Sequence, residues 1–536
     1  MKKKIVSMIL CLVMIASLCA GCSNSSKQEA SDNSTKVTDA AAPSATQATG
    51  ETGQESKDLT KLSVFINESW YPVNSFTGKI PEAIKKATGV DLDVTIATDS
   101  SQLGVMIASG ELPDLVFTDL SLNELSNSDV CFALDDLTSE TGVDFSKSEN
   151  YDERNKIAKS FSEDGKSYTL LNNYNTQKDW ANLKIGAPGQ ACTYYRKDLL
   201  DAAGIAVPTN MDEFVQCLGK VKEAYPNMTP LGLGGYWKLQ AISNWMGVSA
   251  GQYDTATGAY HYEATAPTYK DFLSYSNKLY RAGYITAEDY ANENEADGHQ
   301  KAYNDGFVFY PWFLSQSNLA QLQSNATTKT AKWAILAPLG QAPIGTGKGW
   351  GGVFISKNCS NPKAAATLVS YLNSPEGSKL AMWGVEGDDY TLGSDGVPQF
   401  SANYLAARDD SEKYYKEYNT LFYFGSSAIT EIYMNYAGMD AEKLSQFTAY
   451  AKGFKSYPEV GIAEPSTTSD QGVIKTKMEE FRKNYVAKVV FTDTDKEFES
   501  AYNEFMKALK DTGVDSYNDY MTKKIAEVKK DYGLAN

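Results

Sequence analysis

The order of strands and helices at the start of the globular part is the feature that most restricts the fold. Leu62–Ile66, Val90–Ile96 and Leu112–Phe117 are short apolar or alternating segments, as expected for strands. Between them, Pro81–Ala87 and Gln102–Ser109 have helical spacing, and a glycine ends each helix. Strands separated by helices pair in parallel through right-handed crossovers. The sequence therefore predicts an α/β fold that begins with a parallel sheet.

The rest of the chain is long and richer in helices. About 475 residues follow residue 61, which is more than one core usually holds, so two lobes are expected. Further helices are predicted from their caps and apolar stripes: after Asn210 or Thr209, over Tyr269–Tyr280, from Pro362, from Pro375, and after a Thr494–Glu497 capping box.

The N-terminus has the layout of a secretory signal followed by a lipid anchor. Lys2–Lys4 precede the uncharged apolar stretch Ile5–Ala20, which is short for a bilayer span. Leu18–Ser23 resembles a bacterial lipobox, although a cysteine, Cys19, occupies the usual leucine position. We predict a signal peptide over 1–21, lipidation of Cys22 and a disordered tether over 22–58, because that region is polar and almost free of large apolar residues.

Composition excludes several classes of function. The formal net charge of −17 disfavours nucleic acid and anionic lipid head groups, so membrane contact is expected through the anchor alone. Only His261 and His299 are present, which argues against a histidine-rich zinc site or a histidine-based triad. The four cysteines beyond the anchor are scattered and are expected to be free buried thiols. No metal and no cofactor is expected.

Three motifs in order resemble those of a known family. Met106–Asp114, Tyr194–Pro208 and Asn361–Tyr390 are similar to segments of extracellular solute-binding proteins of family 1, the carbohydrate type that serves ABC importers, and within it the long lipoprotein branch similar to LplA. The resemblance covers most of the chain from about residue 60 to 535.

That resemblance implies a two-lobe, periplasmic-binding-protein-like fold of class II with discontinuous lobes and a helix-rich second lobe. Lobe 1 is predicted to comprise 59–170 and 350–390, and lobe 2 to comprise 171–349 and 391–536. The chain is expected to cross between lobes near 166–175, 338–351 and 384–392.

Candidate ligand-binding residues follow from the chemistry of sugars. Aromatic rings stack on the apolar faces of sugars, while carboxylates and amides bond their hydroxyl groups, and ligands bind beyond the carboxyl ends of strands in α/β sheets. Asn67, Glu68 and Trp70 follow the first predicted strand, and Asp119 follows the third. Trp350 lies in a glycine-rich stretch at a predicted crossing.

Three further candidates belong to the second lobe. Trp312 and Trp237 follow segments marked by proline or glycine turns. Arg196 is a weaker candidate, because an internal ion pair also accounts for an arginine in Arg196–Asp198.

The sequence thus predicts a lipid-anchored, monomeric binding protein without catalysis on the outer face of the cell membrane. It would capture an oligosaccharide or sugar derivative and deliver it to the permease subunits of an ABC importer. Two alternatives stay open: the same fold binding a peptide or amino-acid derivative, and a surface-anchored glycan-degrading enzyme with paired carboxylates about 5–10 Å apart.

Overall fold

The computed structural model describes residues 59–532 except 72–73, 100, 177–178, 180–182, 184–189, 235–237, 293–294, 420–423 and 467–468. All of them belong to one unit of the chain, Lys57–Asn536. The predictions for Cys22, for the signal and tether over 1–58 and for Trp237 lie outside the described residues.

The strands of the described part are numbered in chain order. They are β1 (Thr60–Ile66), β2 (Val90–Ile96), β3 (Leu115–Thr118), β4 (Ala191–Arg196), β5 (Thr229–Leu231), β6 (Phe307–Phe313), β7 (Trp333–Leu336), β8 (Ile344–Gly345), β9 (Gly352–Ile355), β10 (Tyr390–Leu392), β11 (Pro398–Phe400) and β12 (Lys455–Ser456).

The α-helices are numbered in the same way. The first group comprises α1 (Lys79–Thr88), α2 (Gln102–Ser109), α3 (Leu122–Leu125), α4 (Leu134–Thr141), α5 (Tyr151–Lys159), α6 (Lys197–Ala202), α7 (Met211–Ala224), α8 (Gln240–Trp245), α9 (Tyr269–Arg281), α10 (Ala287–Ala291), α11 (Glu295–Tyr303) and α12 (Gln316–Asn325). The second comprises α13 (Pro362–Asn373), α14 (Pro375–Trp383), α15 (Ala402–Arg408), α16 (Ser411–Glu417), α17 (Ala428–Tyr436), α18 (Ala441–Ala449), α19 (Pro458–Ile462), α20 (Asp470–Val490), α21 (Asp495–Thr512) and α22 (Val514–Tyr532). Short 3₁₀ turns lie at Phe145–Lys147, Ala250–Gln252 and Glu263–Thr265.

The first sheet has the order β2-β1-β3-β9. Strand β1 pairs in parallel with β2 and with β3, as the alternation of strands and helices predicts. Strand β9 adds to β3 in the antiparallel sense. Because β9 comes far later in the chain than β3, the first lobe is discontinuous.

The second sheet has the order β5-β6-β4-β7 and is formed entirely by residues between β3 and β9. Strand β5 runs parallel to β6, whereas β4 is antiparallel to both β6 and β7. The fold is therefore α/β with two lobes, each built on one mixed sheet, as expected for the periplasmic-binding-protein-like class.

Local capping signals explain why several helices begin where they do. The Asn210 side chain accepts a hydrogen bond from the Glu213 amide at the start of α7, and Asn361 caps α13 in the same way. Thr494 and Glu497 form the predicted reciprocal capping box of α21. These side chains satisfy amide groups that have no partner inside the helix.

Two segments that connect the two sheets along the chain lie side by side, and a third segment, around Ser426, contacts one of them. The backbone amide of Asn172 donates to the Gly351 carbonyl (2.8 Å), and the Trp350 amide donates to the Asn172 carbonyl (3.0 Å). The Asn173 amide donates to the Ser426 carbonyl at 2.9 Å. The first two contacts lie within the predicted crossings at 166–175 and 338–351.

Residues after 391 pack with the first sheet, which indicates where the third crossing lies. Tyr404, Tyr414, Tyr418 and Phe424 are buried in the same apolar cluster as Leu62 of β1. We therefore propose that the first lobe extends to about residue 424 and that the third crossing lies near Ser426, not at 384–392.

Candidate functional site

Two loops meet at the carboxyl edge of the first sheet, where β1 and β3 end. The Asn67 amide donates to the Phe117 carbonyl at 2.9 Å, and the Asn67 side-chain amide donates to Thr118 Oγ1 at 3.2 Å. These bonds hold the loop after β1 beside the loop after β3. Asn67 is buried, and its Oδ1 receives no hydrogen bond from the described residues.

Two tryptophans lie next to each other at this edge, and each indole is fixed by a carboxylate. Trp70 Nε1 donates to Glu68 Oε2 at 2.7 Å, and Trp350 Nε1 donates to Asp119 Oδ2 at 2.8 Å. The ring centroids are 5.9 Å apart with an interplanar angle of 35°. Trp350 also packs edge-on against Phe117, at 5.5 Å. The arrangement presents an angled aromatic surface, and Trp70 remains 53% exposed.

The two carboxyl groups behind the indoles form a coupled acidic pair. Burial is the main cause that raises the pKa of Glu68 to about 7. The charge of Asp119 and a hydrogen bond between the two carboxyls raise it further, whereas the hydrogen bond from Trp70 lowers it. Glu68 is therefore protonated over much of the acidic range, up to about neutral pH.

Backbone contacts between the lobes hold Trp350 in place. Its own amide donates to the Asn172 carbonyl, and the next amide, of Gly351, donates to Asn172 Oδ1 at 3.0 Å. The sequence-predicted residues Asn67, Glu68, Trp70, Asp119 and Trp350 thus lie together in one cluster, which we call the indole–carboxyl site.

Trp312 does not belong to this site. It lies inside β6 and is only 7% exposed, because the run Phe307–Phe313 forms a buried strand and Pro311 does not end it. Its ring packs on the His299 ring at 3.9 Å. Burial lowers the pKa of His299 to about 4. The prediction of a turn before Trp312 is wrong.

Arg196 is an internal ion-pair residue. Its Nη2 bonds to Asp198 Oδ2 at 2.7 Å, its Nη1 bonds to Asp305, and its side chain is 2% exposed. The guanidinium also lies over the Trp333 ring at 5.8 Å. Since its donors are engaged and buried, we remove Arg196 from the candidate site.

A cavity that sequence patterns did not indicate lies between α12, α16 and α17. Its volume is about 240 Å³, and its lining includes Phe313, Gln316, Arg408, Tyr415 and Glu431. Gln316 Oε1 is buried and receives no hydrogen bond from the described residues. Burial raises the pKa of Glu431 to about 7. These residues come from separate elements, so no spacing in the sequence could have grouped them.

A second, polar groove begins at the indole–carboxyl site. It has a volume of about 460 Å³ and runs from Asp119 past Lys348 and Glu464 to the helices α20 and α22. Lys348 Nζ and Lys475 Nζ both contact Glu464, at 2.8 and 3.1 Å. The groove therefore extends the site along a surface of paired charges.

The described residues contain neither a metal-binding cluster nor a membrane-spanning helix. No cluster of three or more histidine, cysteine or acidic residues there could hold a metal ion. None of the helices described is both long and apolar enough to cross a membrane.

The family model described as bacterial extracellular solute-binding protein matches residues 70–379. Lipoprotein LipO of Bacillus subtilis (strain 168) is 27% identical over 344 residues, which is 59% of this chain and 64% of that protein. The chain thus spans less than two thirds of that relative.

Solved structures with little sequence identity share the fold. The alginate-binding protein AlgQ2, solved without calcium ion, has a TM-score of 0.64 and 17% identity, over 88% of this chain and 98% of that chain. FusA, an ABC-transporter substrate-binding protein of S. pneumoniae solved with kestose, has a TM-score of 0.62 and 15% identity, over 88% and 100% of the two chains.

Proposed function

The chain belongs to the bacterial extracellular solute-binding protein family, and we propose that it captures an extracellular oligosaccharide or sugar derivative between its two lobes for an ABC importer. In this proposal the chain is anchored to the outer face of the membrane through a lipid on Cys22. The polar tether over 23–58 would let the binding unit reach both the ligand and the permease.

The paired indoles of Trp70 and Trp350 are the observation that carries the proposal. A sugar ring offers an apolar face to aromatic rings and hydroxyl groups to carboxyl and amide oxygens. The indole–carboxyl site supplies both, with Glu68 and Asp119 directly behind the rings. The likeness to sugar-binding proteins of the same fold supports this interpretation.

In this mechanism the closed state of the two lobes tells the permease that ligand is bound. A ligand that contacts both lobes stabilises the closed state, and the permease recognises the surface that closure creates. The position of Trp350 beside the Asn172 crossing would couple ligand contact to the angle between the lobes.

The engagement of the two carboxyls favours binding over hydrolysis. Glycosidases hold two carboxyl groups about 5–10 Å apart, so that the scissile bond and, in inverting enzymes, a water fit between them. Glu68 and Asp119 are instead each bonded to an indole N–H, so both carboxyls serve to hold the aromatic rings. We therefore propose a role without catalysis.

A peptide or amino-acid derivative is the second candidate. Two carboxyls beside two indoles also suit an ammonium group. The carboxyls attract its positive charge, and the faces of the indole rings bind it through cation–π contact. Titrations of the chain with peptides that have free amino termini, beside titrations with oligosaccharides, distinguish the two candidates.

The test combines a glycan array with titration calorimetry of the secreted chain. We expect binding to oligosaccharides, and Trp70→Ala or Trp350→Ala to weaken the best ligand at least tenfold, about 1.4 kcal/mol. Val105→Ala, a truncation at a residue that is 67% exposed on α2, serves as the control and should change affinity less than twofold. Binding of peptides with no binding of any glycan would refute the carbohydrate proposal.

A further inference from the structure

The balance of charge around the indole–carboxyl site restricts the kind of saccharide that it accepts. Among the described residues, neither Glu68 nor Asp119 has a lysine, arginine or histidine within ion-pair distance. Their hydrogen-bond donors are the indoles of Trp70 and Trp350, which are neutral. An anionic group that entered this site would meet carboxyl groups and no opposing cation.

The cavity between α12, α16 and α17 likewise offers an anionic ligand little positive charge. Arg408, the one arginine among the described residues that line it, donates through Nε and Nη2 to Asp409 and through Nη1 to the carbonyls of Met434 and Ala437. Glu431 lines the same cavity without a cationic partner among the described residues. Four of the five N–H donors of Arg408 are thus already used within the protein.

The groove beside Asp119 does contain lysines, but acidic side chains hold them. Lys348 and Lys475 both pair with Glu464. Lys524 lies 3.3 Å from Glu527, and Lys159 lies 3.8 Å from Asp135. Among the described residues that line the groove, these four lysines stand against five acidic residues, so the groove carries no net positive charge for an anion: Asp119, Glu124, Glu464, Glu479 and Asp531.

We propose that the captured saccharide carries no carboxylate, sulfate or phosphate group. This inference rests on the proposed function and narrows its substrate class. The physical reason is that an anion loses its hydration on entering a cleft and regains that energy only beside available donors or cations. Here the indole N–H groups of Trp70 and Trp350 are already bonded to Glu68 and Asp119, and among the described residues no cation pairs with either carboxyl.

A matched set of ligands tests the inference. The best neutral oligosaccharide from the array is titrated against its congener in which one hydroxymethyl group is oxidised to a carboxylate. We expect the acidic congener to bind at least tenfold more weakly in 20 mM salt, and the difference to shrink at 500 mM salt because exposed charges are then screened.

The double variant Glu68→Gln, Asp119→Asn identifies the origin of the selectivity. Amide oxygens still accept from the two indoles, so the rings should keep their positions, while the negative charge is removed. We expect the preference for the neutral congener to fall at least threefold in this variant. Val105→Ala should leave the preference unchanged.

The outcomes separate the two proposals. Tight binding of acidic glycans, or unchanged selectivity in the double variant, overturns the inference while the carbohydrate function stands. Failure of every neutral and acidic glycan to bind overturns the proposed function and the inference with it.

Discussion

At the scale of single residues, the coupled pair of Glu68 and Asp119 has the clearest measurable consequence. The pKa of Glu68 rises from 4.5 to about 7 on folding. A carboxyl whose pKa is higher in the folded state contributes stability below pH 4.5 and loses it as the pH rises through about 7. The folded chain therefore carries a cost at neutral pH that comes from this one group.

We predict that Glu68→Gln removes this cost. Between pH 5 and pH 8, the free energy of unfolding of the parent chain should fall relative to the variant by about 1–3 kcal/mol, since each pKa unit corresponds to roughly 1.4 kcal/mol. Urea unfolding at several pH values measures the difference. Parallel pH profiles for the two chains would show that Glu68 titrates as an exposed carboxyl.

The candidate residues show which features of a site a sequence reveals. Asn67, Glu68 and Asp119 were predictable because strand ends of a parallel sheet share one edge. The burial of Trp312 against His299 was not predictable, because its neighbours in the sequence do not reveal it. For Arg196 the sequence indicated the ion pair with Asp198 but not the second partner, Asp305.

At the scale of elements, the crossing segments depend on close approach of the backbone. A methyl group at Gly352 would overlap Thr169 Oγ1, and that hydroxyl donates to the Val353 carbonyl at 2.9 Å. Gly352 is the first residue of β9, so this contact lies where the chain returns to the first sheet.

We predict that Gly352→Ala lowers the free energy of unfolding by about 1–3 kcal/mol through overpacking. Gly104→Ala is the matched control, because Gly104 lies within α2 with open space around its Cα. The control should be neutral or stabilising by up to about 1 kcal/mol. Equal unfolding midpoints for the two variants in urea would contradict the packing at this crossing.

The elements differ in how far the sequence determines them. Strands β1 and β2 and helix α7 have strong periodicity and caps, and their predicted positions agree with the structure. Strand β6 has a continuous apolar run, but Pro311 suggested a turn inside it. The third crossing that we propose differs from the predicted one because tyrosines of the short helices α15 and α16 pack in the cluster of β1, a contact that only tertiary packing reveals.

At the scale of the whole molecule, the chain forms two four-stranded sheets, with the indole–carboxyl site at the edge of the first sheet and crossing segments between the lobes. The α/β class and the parallel pairing of β1 with β2 and β3 followed from the order of segments in the sequence. The return of β9 to the first sheet was expected only from resemblance to a family, because strands so far apart in the chain share no local pattern. We propose that the segments crossing between the lobes allow one lobe to rotate on the other near Trp350.

The most direct test is a crystal structure of the chain with the oligosaccharide that binds most tightly on the array. The account predicts closed lobes, a sugar ring in contact with the indoles of Trp70 and Trp350, and sugar hydroxyls within 3.2 Å, an ordinary hydrogen-bond distance, of Glu68 or Asp119 oxygens. A saccharide bound elsewhere, with both indoles uncovered, would contradict it.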